Sequence, residues 1–375
     1  MAIKANCIAG LLSVTGDNAD DAIAITRDAA GQILINGGAI SVQGDQPTLT
    51  NTTEIDVFGG NGNDTISLDN IAPPAGQALP PATLFGGNGN DMLTGGGGND
   101  MLFGGNGDDT VIGGKGSDTA FLGNGNDTFI WNPGDGNDVV DGGRGFDTLD
   151  FRGKNGGETI TISGNGSGGA TFLRTGGTID LTSVERIQFE ATNQGQFADN
   201  ITINDLTGTG VKQVAIDLGG GADNITVNDQ TGTDVEQVAI DLGGGLPGGG
   251  DGSVDKVFIN ATHGQAITVA DNNGLVTVSG LTNTLTISNF EANLDQLFIN
   301  NQPVTVANGQ SVTVAAMNSN NTGGTSTASD GSHAAALLGQ FMASSFATAG
   351  DGHGATPVAD QPPTHPPLLA PPQHA

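Results

Sequence analysis

The chain of 375 residues contains no tyrosine, one cysteine, one tryptophan and only ten lysine and arginine residues. The single cysteine, Cys7, excludes an intramolecular disulfide. Aromatic residues make up 4% of the chain, which argues against a large jigsaw-packed core and against a deep aromatic-lined cleft. The scarcity of basic residues disfavours binding to nucleic acid or to an anionic membrane.

Long apolar runs are also missing from the sequence. No stretch of about 18 consecutive apolar residues occurs, so we predict that the chain has no membrane-spanning helix. The N-terminal residues contain only a short, interrupted apolar run, without the hydrophobic region and cleavage site of a secretory signal peptide.

Acidic residues dominate the charge, with 40 Asp and Glu and a formal net charge of −30. Only six of these residues are glutamate. A merely solvated acidic surface would use glutamate as readily as aspartate, whereas a short Asp side chain in a turn can reach an ion held by the backbone of that turn. The composition therefore favours divalent cations as partners.

A nine-residue repeat accounts for the aspartates. Residues 86–130 read GGNGNDMLT, GGGGNDMLF, GGNGDDTVI, GGKGSDTAF and LGNGNDTFI, and further copies stand at 59–67, 133–141 and 142–150. The pattern is G-G-x-G-x-D-x-U-x, where U is a large apolar residue. A fixed period, a fixed Asp and a fixed apolar position together are typical of a calcium-binding parallel β-helix.

The chemistry of one repeat explains its residue types. The first six residues are expected to form a turn, in which glycine permits positive φ and a close approach of backbone carbonyls. The Asp at position six supplies the hard oxygen that Ca²⁺ prefers. The last three residues form a short strand whose U side chain points inward. Two repeats close one coil, so turns on one side stack at a spacing of about 18 residues.

This stacking predicts two rows of calcium ions. One row joins Asp91, Asp109 and Asp127, and the other joins Asp100 and Asp118. Insertion of Trp131 and Asn132 places Asp138 and Asp147 further along the chain, so the rows reach them if the insertion bulges out of one turn. A disordered low-complexity tract is disfavoured by the regular apolar position, and an array of hairpins by the shortness of the strands.

The remaining chain is divided by its patterning into further segments. Residues 1–58 carry short β-like runs and form an N-terminal β segment, and residues 59–150 form the calcium-binding β-roll. Residues 68–85, with four prolines, interrupt the repeat as a loop or as one coil without calcium. Residues 151–315 continue as a β-solenoid, in which DNITINDLTGTGVKQVAIDLGGGA and DNITVNDQTGTDVEQVAIDLGGG repeat with longer coils.

Two features of these outer segments bear on the calcium sites and on export. LGGGADNIT at 218–226 resembles the nonapeptide turn, with Asp223 in the acidic position, but its stacking partner carries Phe197 where a glycine belongs. We therefore leave Asp223 out of the predicted rows. Residues 316–375 are predicted to comprise a polar linker, a helix over 334–349 and a disordered proline-rich tail.

The nonapeptides resemble those of the RTX, or haemolysin-type, calcium-binding β-roll proteins of secreted bacterial origin. The resemblance implies several Ca²⁺ ions, export by a type I secretion transporter through a C-terminal signal, and an extracellular location. It carries the aspartate ligand onto Asp64, Asp91, Asp100, Asp109, Asp118, Asp127, Asp138 and Asp147. For Asp64, the residue 18 positions onward falls in the proline-rich interruption. The turn residues that we expect to contribute to the sites are Gly86, Gly87, Asn88, Gly89, Gly95, Gly97, Gly104, Asn106, Gly107, Gly113, Gly116, Asn124, Gly125 and Gly136.

Catalytic motifs were sought because such repeats often accompany enzymes. The sequence has no H-E-x-x-H metalloprotease motif, no G-x-S-x-G nucleophile elbow and no EF-hand loop. GGKGS at 113–117 lacks the Ser or Thr that follows the lysine of a phosphate loop. Carboxylate pairs are plentiful, however, and could serve a lyase or glycosidase.

The sequence therefore predicts an all-β parallel β-roll or β-solenoid with calcium-binding turns, a short C-terminal helix and a proline-rich tail. The favoured function is a secreted, non-enzymatic calcium-binding protein of a surface, matrix or adhesion type, whose cell-surface partner is undefined. The alternative is a β-helix enzyme acting on an acidic polysaccharide with the repeats as its folding module; a groove with Arg or Lys beside carboxylates would favour it.

Overall fold

The computed structural model describes residues 3–70, 79–153, 156–191, 197–243, 250–261 and 266–314, together with three short strands at 326–328, 346–348 and 358–360. Its strands form two long sheets, of 16 and 15 strands, and one separate two-stranded sheet. Side chains from both long sheets belong to a single buried hydrophobic cluster that runs from Ala5 to Val314. Nearly all the regular structure is therefore β, as the sequence predicts.

The strands up to the end of the nonapeptide segment number fifteen. They are β1 Lys4–Ile8, β2 Leu11–Thr15, β3 Ala22–Arg27, β4 Ile33–Ile35, β5 Val42–Gly44, β6 Glu54–Asn61, β7 Thr65–Asn70, β8 Ala82–Asn88, β9 Met92–Gly97, β10 Met101–Asn106, β11 Thr110–Lys115, β12 Thr119–Asn124, β13 Thr128–Trp131, β14 Asp138–Arg144 and β15 Thr148–Arg152, with one 3-10 turn at Asn36–Gly38.

The later strands complete both sheets. They are β16 Thr159–Gly164, β17 Ala170–Arg174, β18 Gly177–Thr182, β19 Arg186–Glu190, β20 Asn200–Ile203, β21 Gln213–Asp217, β22 Asn224–Val227, β23 Gln237–Asp241, β24 Lys256–Ile259, β25 Ile267–Asn272, β26 Leu275–Ser279, β27 Thr284–Ser288, β28 Gln296–Ile299, β29 Gln302–Val304, β30 Ser311–Val314, β31 Ser326–Ala328, β32 Phe346–Thr348 and β33 Val358–Asp360.

Within the nonapeptide segment, consecutive strands alternate between the two long sheets, so two repeats complete one coil. Strand β10 pairs in parallel with β8 and with β12, and each residue of β10 lies opposite the residue 18 positions before or after it. The predicted coil length is confirmed. The strands are longer than predicted, since β9 and β10 have six residues each rather than three. The first three turn residues continue the ladder because they also pair with the neighbouring coils.

The inward position of each repeat forms the core, as predicted. The U residues of the eight repeats are all at most 1% exposed: Ile66, Leu93, Leu102, Val111, Ala120, Phe129, Val140 and Leu149. On the outer face of the 16-stranded sheet, the rings of Phe58, Phe85, Phe103 and Phe121 stack across adjacent coils at centroid distances of 4.9, 4.8 and 5.2 Å. Such cross-strand aromatic pairs add to the stability of the sheet and help fix its register.

The proline-rich interruption enlarges one coil without breaking the stack. Strand β8 pairs with β6 so that Gly87 lies opposite Gly60, and β9 pairs with β7 so that Met92 lies opposite Thr65. The offset between partners is therefore 27 residues, one repeat more than the usual coil. The turn that ends at Asp64 consequently stacks under the turn that ends at Asp91.

Beyond residue 150 the coils are longer and carry antiparallel insertions. Strands β16, β17 and β18 form an antiparallel meander within the 16-stranded sheet, and β25, β26 and β27 do the same in the other sheet. Between them, β20 and β22 pair in parallel at a spacing of 24 residues, as do β21 and β23. This spacing matches the longer sequence repeat.

The predicted helix at 334–349 and the proline-rich tail lie outside the described residues, except for short strands. Phe346–Thr348, which the helix prediction included, forms a strand that pairs antiparallel with Val358–Asp360. Among the residues described, no helix is long and apolar enough to cross a membrane.

Candidate metal centre

The repeat aspartates form a continuous hydrogen-bonded row on each side of the roll. In the first row, the backbone N–H of each Asp donates to Oδ1 of the Asp in the next coil. The bonds run from Asp64 to Asp91 (2.7 Å), from Asp91 to Asp109 (2.8 Å) and from Asp109 to Asp127 (2.7 Å). The same contact joins Asp127 to Asp147 at 2.8 Å. The two inserted residues therefore do not interrupt the row.

The second row is built in the same way on the opposite side. The N–H of Asp100 donates to Oδ1 of Asp118, and that of Asp118 to Oδ1 of Asp138, both at 2.8 Å. At its start, the N–H of Ala82 donates to Oδ1 of Asp100 at 2.8 Å, so an alanine stands where an earlier aspartate would be. The geometry joins the aspartates in the two rows that the spacing predicts.

The second carboxylate oxygen of every one of these aspartates has no partner. Oδ2 of Asp64, Asp91, Asp100, Asp109, Asp118, Asp127, Asp138 and Asp147 is buried and makes no hydrogen bond. The residues themselves are at most 2% exposed. Burying one charged oxygen without a partner is costly, and eight such atoms in two regular rows require protons or cations.

Backbone carbonyls approach the unpartnered oxygens at the first position of each turn. A Cβ placed on Gly95 would lie 2.6 Å from Oδ2 of Asp100 and 2.5 Å from the carbonyl oxygen of Gly113 in the next coil. Only glycine leaves this space open. Carboxylate and carbonyl oxygens together are the donor set that Ca²⁺ takes, so the turns fit that ion.

The predicted turn residues fall into distinct structural classes. Gly86, Gly95, Gly104 and Gly113 occupy the first position and are buried beside an Asp Oδ2. Gly87 follows in the second position with φ +120°. Gly89, Gly107, Gly116, Gly125 and Gly136 occupy the fourth position with positive φ, close to the carbonyl of the turn beneath.

The third-position residues face away from the aspartates. The side-chain amides of Asn88, Asn106 and Asn124 are exposed and form a ladder, in which Nδ2 of each donates to Oδ1 of the preceding Asn at 2.7–2.8 Å. Their backbone carbonyls accept N–H groups from fourth-position glycines of the preceding turn. Gly97 takes this position in the other row. Any contribution of these residues to an ion therefore comes through the backbone.

The buried carboxyls titrate far above their ordinary range. Burial is the main cause, and it raises the pKa of Asp91, Asp138 and Asp147 to about 6, and that of Asp100 and Asp109 to about 7. Burial likewise raises the pKa of Asp118 to about 8, with neighbouring carboxylates adding to the effect. The pKa values of Asp64 and Asp127 are also raised.

Three kinds of carboxylate in these ladders were missed from the sequence. Asp21 precedes the first row, since its N–H donates to Oδ1 of Asp64 at 2.8 Å, and Glu185 follows it by accepting from the N–H of Asp147 at 2.8 Å. A third series, the C-terminal ladder, comprises Glu158, Asp199, Asp223, Asp255 and Asp295. A recurring signal was available for it, because DNITI, DNITV, DKVFI and DQLFI each place an Asp immediately before a strand with alternating apolar residues.

Within the described part of the chain, no three His, Cys, Asp or Glu side chains converge on one point in the manner of a preformed metal cluster. The candidate sites are of a different kind, each combining carboxylates with main-chain carbonyls from stacked turns.

Comparison with known protein families agrees with this geometry. The model of the RTX calcium-binding nonapeptide repeat matches four segments, at residues 56–70, 83–111, 103–130 and 134–150. The matches cover the two aspartate rows and stop before the C-terminal ladder. No curated protein matches the chain.

Protons should be able to replace cations in the rows, which gives a prediction for the calcium-free protein. The folded-state pKa values of about 6 to 8 exceed the ordinary carboxyl value, so the folded chain retains protons that the unfolded chain has released. This contribution to stability is present at low pH and is lost as pH rises through that range. We expect circular dichroism in calcium-free buffer to show more β structure at about pH 5 than at about pH 8.

A matched variant sharpens this test. Asp118→Asn removes one carboxyl of the second row and should reduce the dependence of folding on pH. A β signal that grows with rising pH in the absence of calcium would contradict the expected protonation.

Proposed function

Because the chain carries RTX calcium-binding nonapeptide repeats, we propose that it is a secreted protein whose β-roll folds around two rows of Ca²⁺ outside the cell. The observation that carries the proposal is the regular pair of rows of buried, unpartnered Asp Oδ2 atoms. The proposed ligands are those carboxylates together with backbone carbonyls of the glycine-rich turns. When bound, calcium supplies the positive charge that the buried carboxylates lack.

Like charges explain why folding would depend on the ion. Stacked aspartates such as Asp91, Asp109 and Asp127 are directly linked across successive coils. Ionised and without a cation, they repel one another in a desolvated setting. The many glycines also raise the entropy that folding must overcome. Ion binding to the folded state alone stabilises it by mass action.

The only tryptophan gives a direct readout of this coupling. Trp131 is 1% exposed and packs 5.3 Å from the Phe151 ring and 5.9 Å from the Phe172 ring, measured between centroids. Near neutral pH, chelator should shift its fluorescence towards that of exposed indole, and added calcium should reverse the shift with a midpoint of about 10⁻⁴–10⁻³ M. Magnesium at the same concentration serves as the control. A fluorescence and β spectrum unaffected by chelator would count against calcium-driven folding.

The position of an aspartate within its row should determine how many ions its loss removes. Asp118 lies between Asp100 and Asp138, whereas Asp100 has a carboxylate neighbour on one side only, because Ala82 stands on the other. We therefore expect Asp118→Asn to remove about two calcium ions and Asp100→Asn about one, as counted by native mass spectrometry.

Asp108 provides the matched control for these variants. It is exposed, and its Oδ1 accepts the N–H of Asn126 at 2.7 Å, a bond that an Asn side chain can also make. Asp108→Asn should leave the ion count unchanged. Equal losses for Asp108→Asn and Asp118→Asn would show that the ligand positions are assigned wrongly.

The biological setting is part of the same proposal. The resemblance to RTX proteins supports export through a type I secretion transporter and action at a surface or in a matrix. The folding argument is consistent with that route, since a strongly acidic chain low in bound calcium would be unfolded inside the cell and would fold in the calcium-rich exterior. The predicted secretion signal falls in residues 316–375, most of which lie outside the described residues.

One observation favours the alternative, an enzyme or binding module for acidic polysaccharide. A groove of about 310 Å³ lies on the outer face of the 15-stranded sheet, with Arg186, Glu190, Asp217 and Asp241 among its lining residues. The Nε of Arg186 is buried and has no hydrogen-bond partner. A guanidinium beside carboxylates could bind and position an acidic sugar.

Incubation with oligogalacturonate tests this alternative. Binding or cleavage that is lost in Arg186→Ala would support it. Arg152→Ala is the control, because Arg152 pairs with Asp150 at 2.9 Å and is not among the groove residues. No binding and no cleavage by the unmodified protein would leave the structural calcium role as the better reading.

A further inference from the structure

The C-terminal ladder repeats the hydrogen bonding of the nonapeptide rows in coils that lack the nonapeptide. The N–H of Asp199 donates to Oδ1 of Asp223 at 2.7 Å, and the N–H of Asp223 donates to Oδ1 of Asp255 at 2.8 Å. The ladder begins with Glu158 and ends with Asp295, again through backbone N–H to Oδ1 contacts. The separations are 24 and 32 residues around Asp223, so a search for one fixed period does not find it.

The turn before Asp223 has the backbone of a nonapeptide turn. Gly221 stands two residues before Asp223, in the fourth position, with φ +138°, and fourth-position Gly107 has φ +121°. A Cβ on Gly221 would collide with the carbonyl oxygen of Phe197, just as one on Gly107 would collide with that of Gly89. Phe197 does not disturb this stacking, because its side chain is 47% exposed and the coil above meets only its backbone.

The carboxylates of this ladder have the same unmet need as those of the two rows. Oδ2 of Asp199 and Oδ2 of Asp223 are buried and make no hydrogen bond. Asp199 is 0% exposed, Asp223 1% and Asp255 2%. Nearby Asp251 has both oxygens engaged, since Oδ1 accepts the N–H of Ser253 and Oδ2 that of Gly221. The unmet oxygens therefore belong to the ladder itself.

The start of the ladder shows how the protein neutralises such a carboxylate when it uses one of its own side chains. Glu158 is paired with the guanidinium of Arg174, with Nη2 to Oε2 at 3.0 Å and both side chains 4% exposed. Among the described residues, Asp199, Asp223 and Asp255 form no ion pair of this kind. A buried carboxylate without a counter-charge is costly, so these positions need a cation from solution.

We propose that the stacked turns ending at Asp199, Asp223 and Asp255 bind a further row of divalent cations, taken to be Ca²⁺, outside the nonapeptide segment. One ion would lie between the turns of Asp199 and Asp223 and another between those of Asp223 and Asp255. Hard oxygen donors from carboxylates and from carbonyls such as that of Phe197 select calcium over softer metals. This inference rests on the proposed calcium role of the nonapeptide rows.

Ion counting on the full chain tests the proposal. Native mass spectrometry in calcium should show that Asp223→Asn carries about two ions fewer than the unmodified protein, because Asp223 is shared by both sites. Asp109→Asn serves as the comparison within the nonapeptide rows and should also lose about two, because Asp109 is shared with Asp91 and Asp127. Asp205→Asn is the control, since Asp205 is exposed and only its Oδ1 caps a turn at Thr207.

The outcomes separate this inference from the proposed function. An unchanged count in Asp223→Asn with a reduced count in Asp109→Asn would overturn the C-terminal row alone and would indicate protonated carboxyls there. Unchanged counts in both would overturn the proposed function as well. If Asp223→Asn fails to fold, a crystal structure of the unmodified protein with calcium decides the matter: anomalous density beside Asp223 supports the row, and its absence there refutes it.

Discussion

The structure depends on one repeated contact, in which a backbone N–H of one coil is bound by a carboxylate oxygen of the next. This contact fixes the register between coils at each turn, where the sheets themselves end. It also commits Oδ1 of each Asp to the protein and leaves Oδ2 buried beside main-chain carbonyls, as at Asp100 and Asp118. The geometry that stacks the coils thus creates the need for positive charge, and structural and ionic stabilisation become one property.

Close backbone approach is the second constraint, and it explains the glycine content. Adjacent turns pass so near one another that a Cβ on fourth-position Gly107 would overlap the carbonyl of Gly89. The first position is crowded by the Asp carboxylate of its own turn and by the carbonyl of the next coil. Glycine is therefore needed where oxygen atoms must converge, while the apolar U position needs only to fill a thin core.

The sequence was sufficient for the regular part of the fold because a fixed period carries spatial information. A coil of 18 residues, the inward U position and the membership of both rows all follow from the spacing, and the pairing of β8, β10 and β12 agrees. Strand length was underestimated because glycines were assigned wholly to turns, although the first three turn residues still pair with neighbouring coils. Stacking of Asp64 on Asp91 could not be inferred, since the proline-rich insertion hides the true neighbour.

The irregular half was harder to read because what it shares with the nonapeptides is a backbone arrangement and not a motif. Only the Asp before the strand and a glycine at the closest approach are required, and insertions such as β17 and β18 can change the coil length without changing the contact. Arg174 marks where one carboxylate series gives way to another, since it supplies within the chain the charge that Glu158 needs. A fold of this kind can therefore lose its sequence period while keeping the electrostatic requirement that the period first revealed.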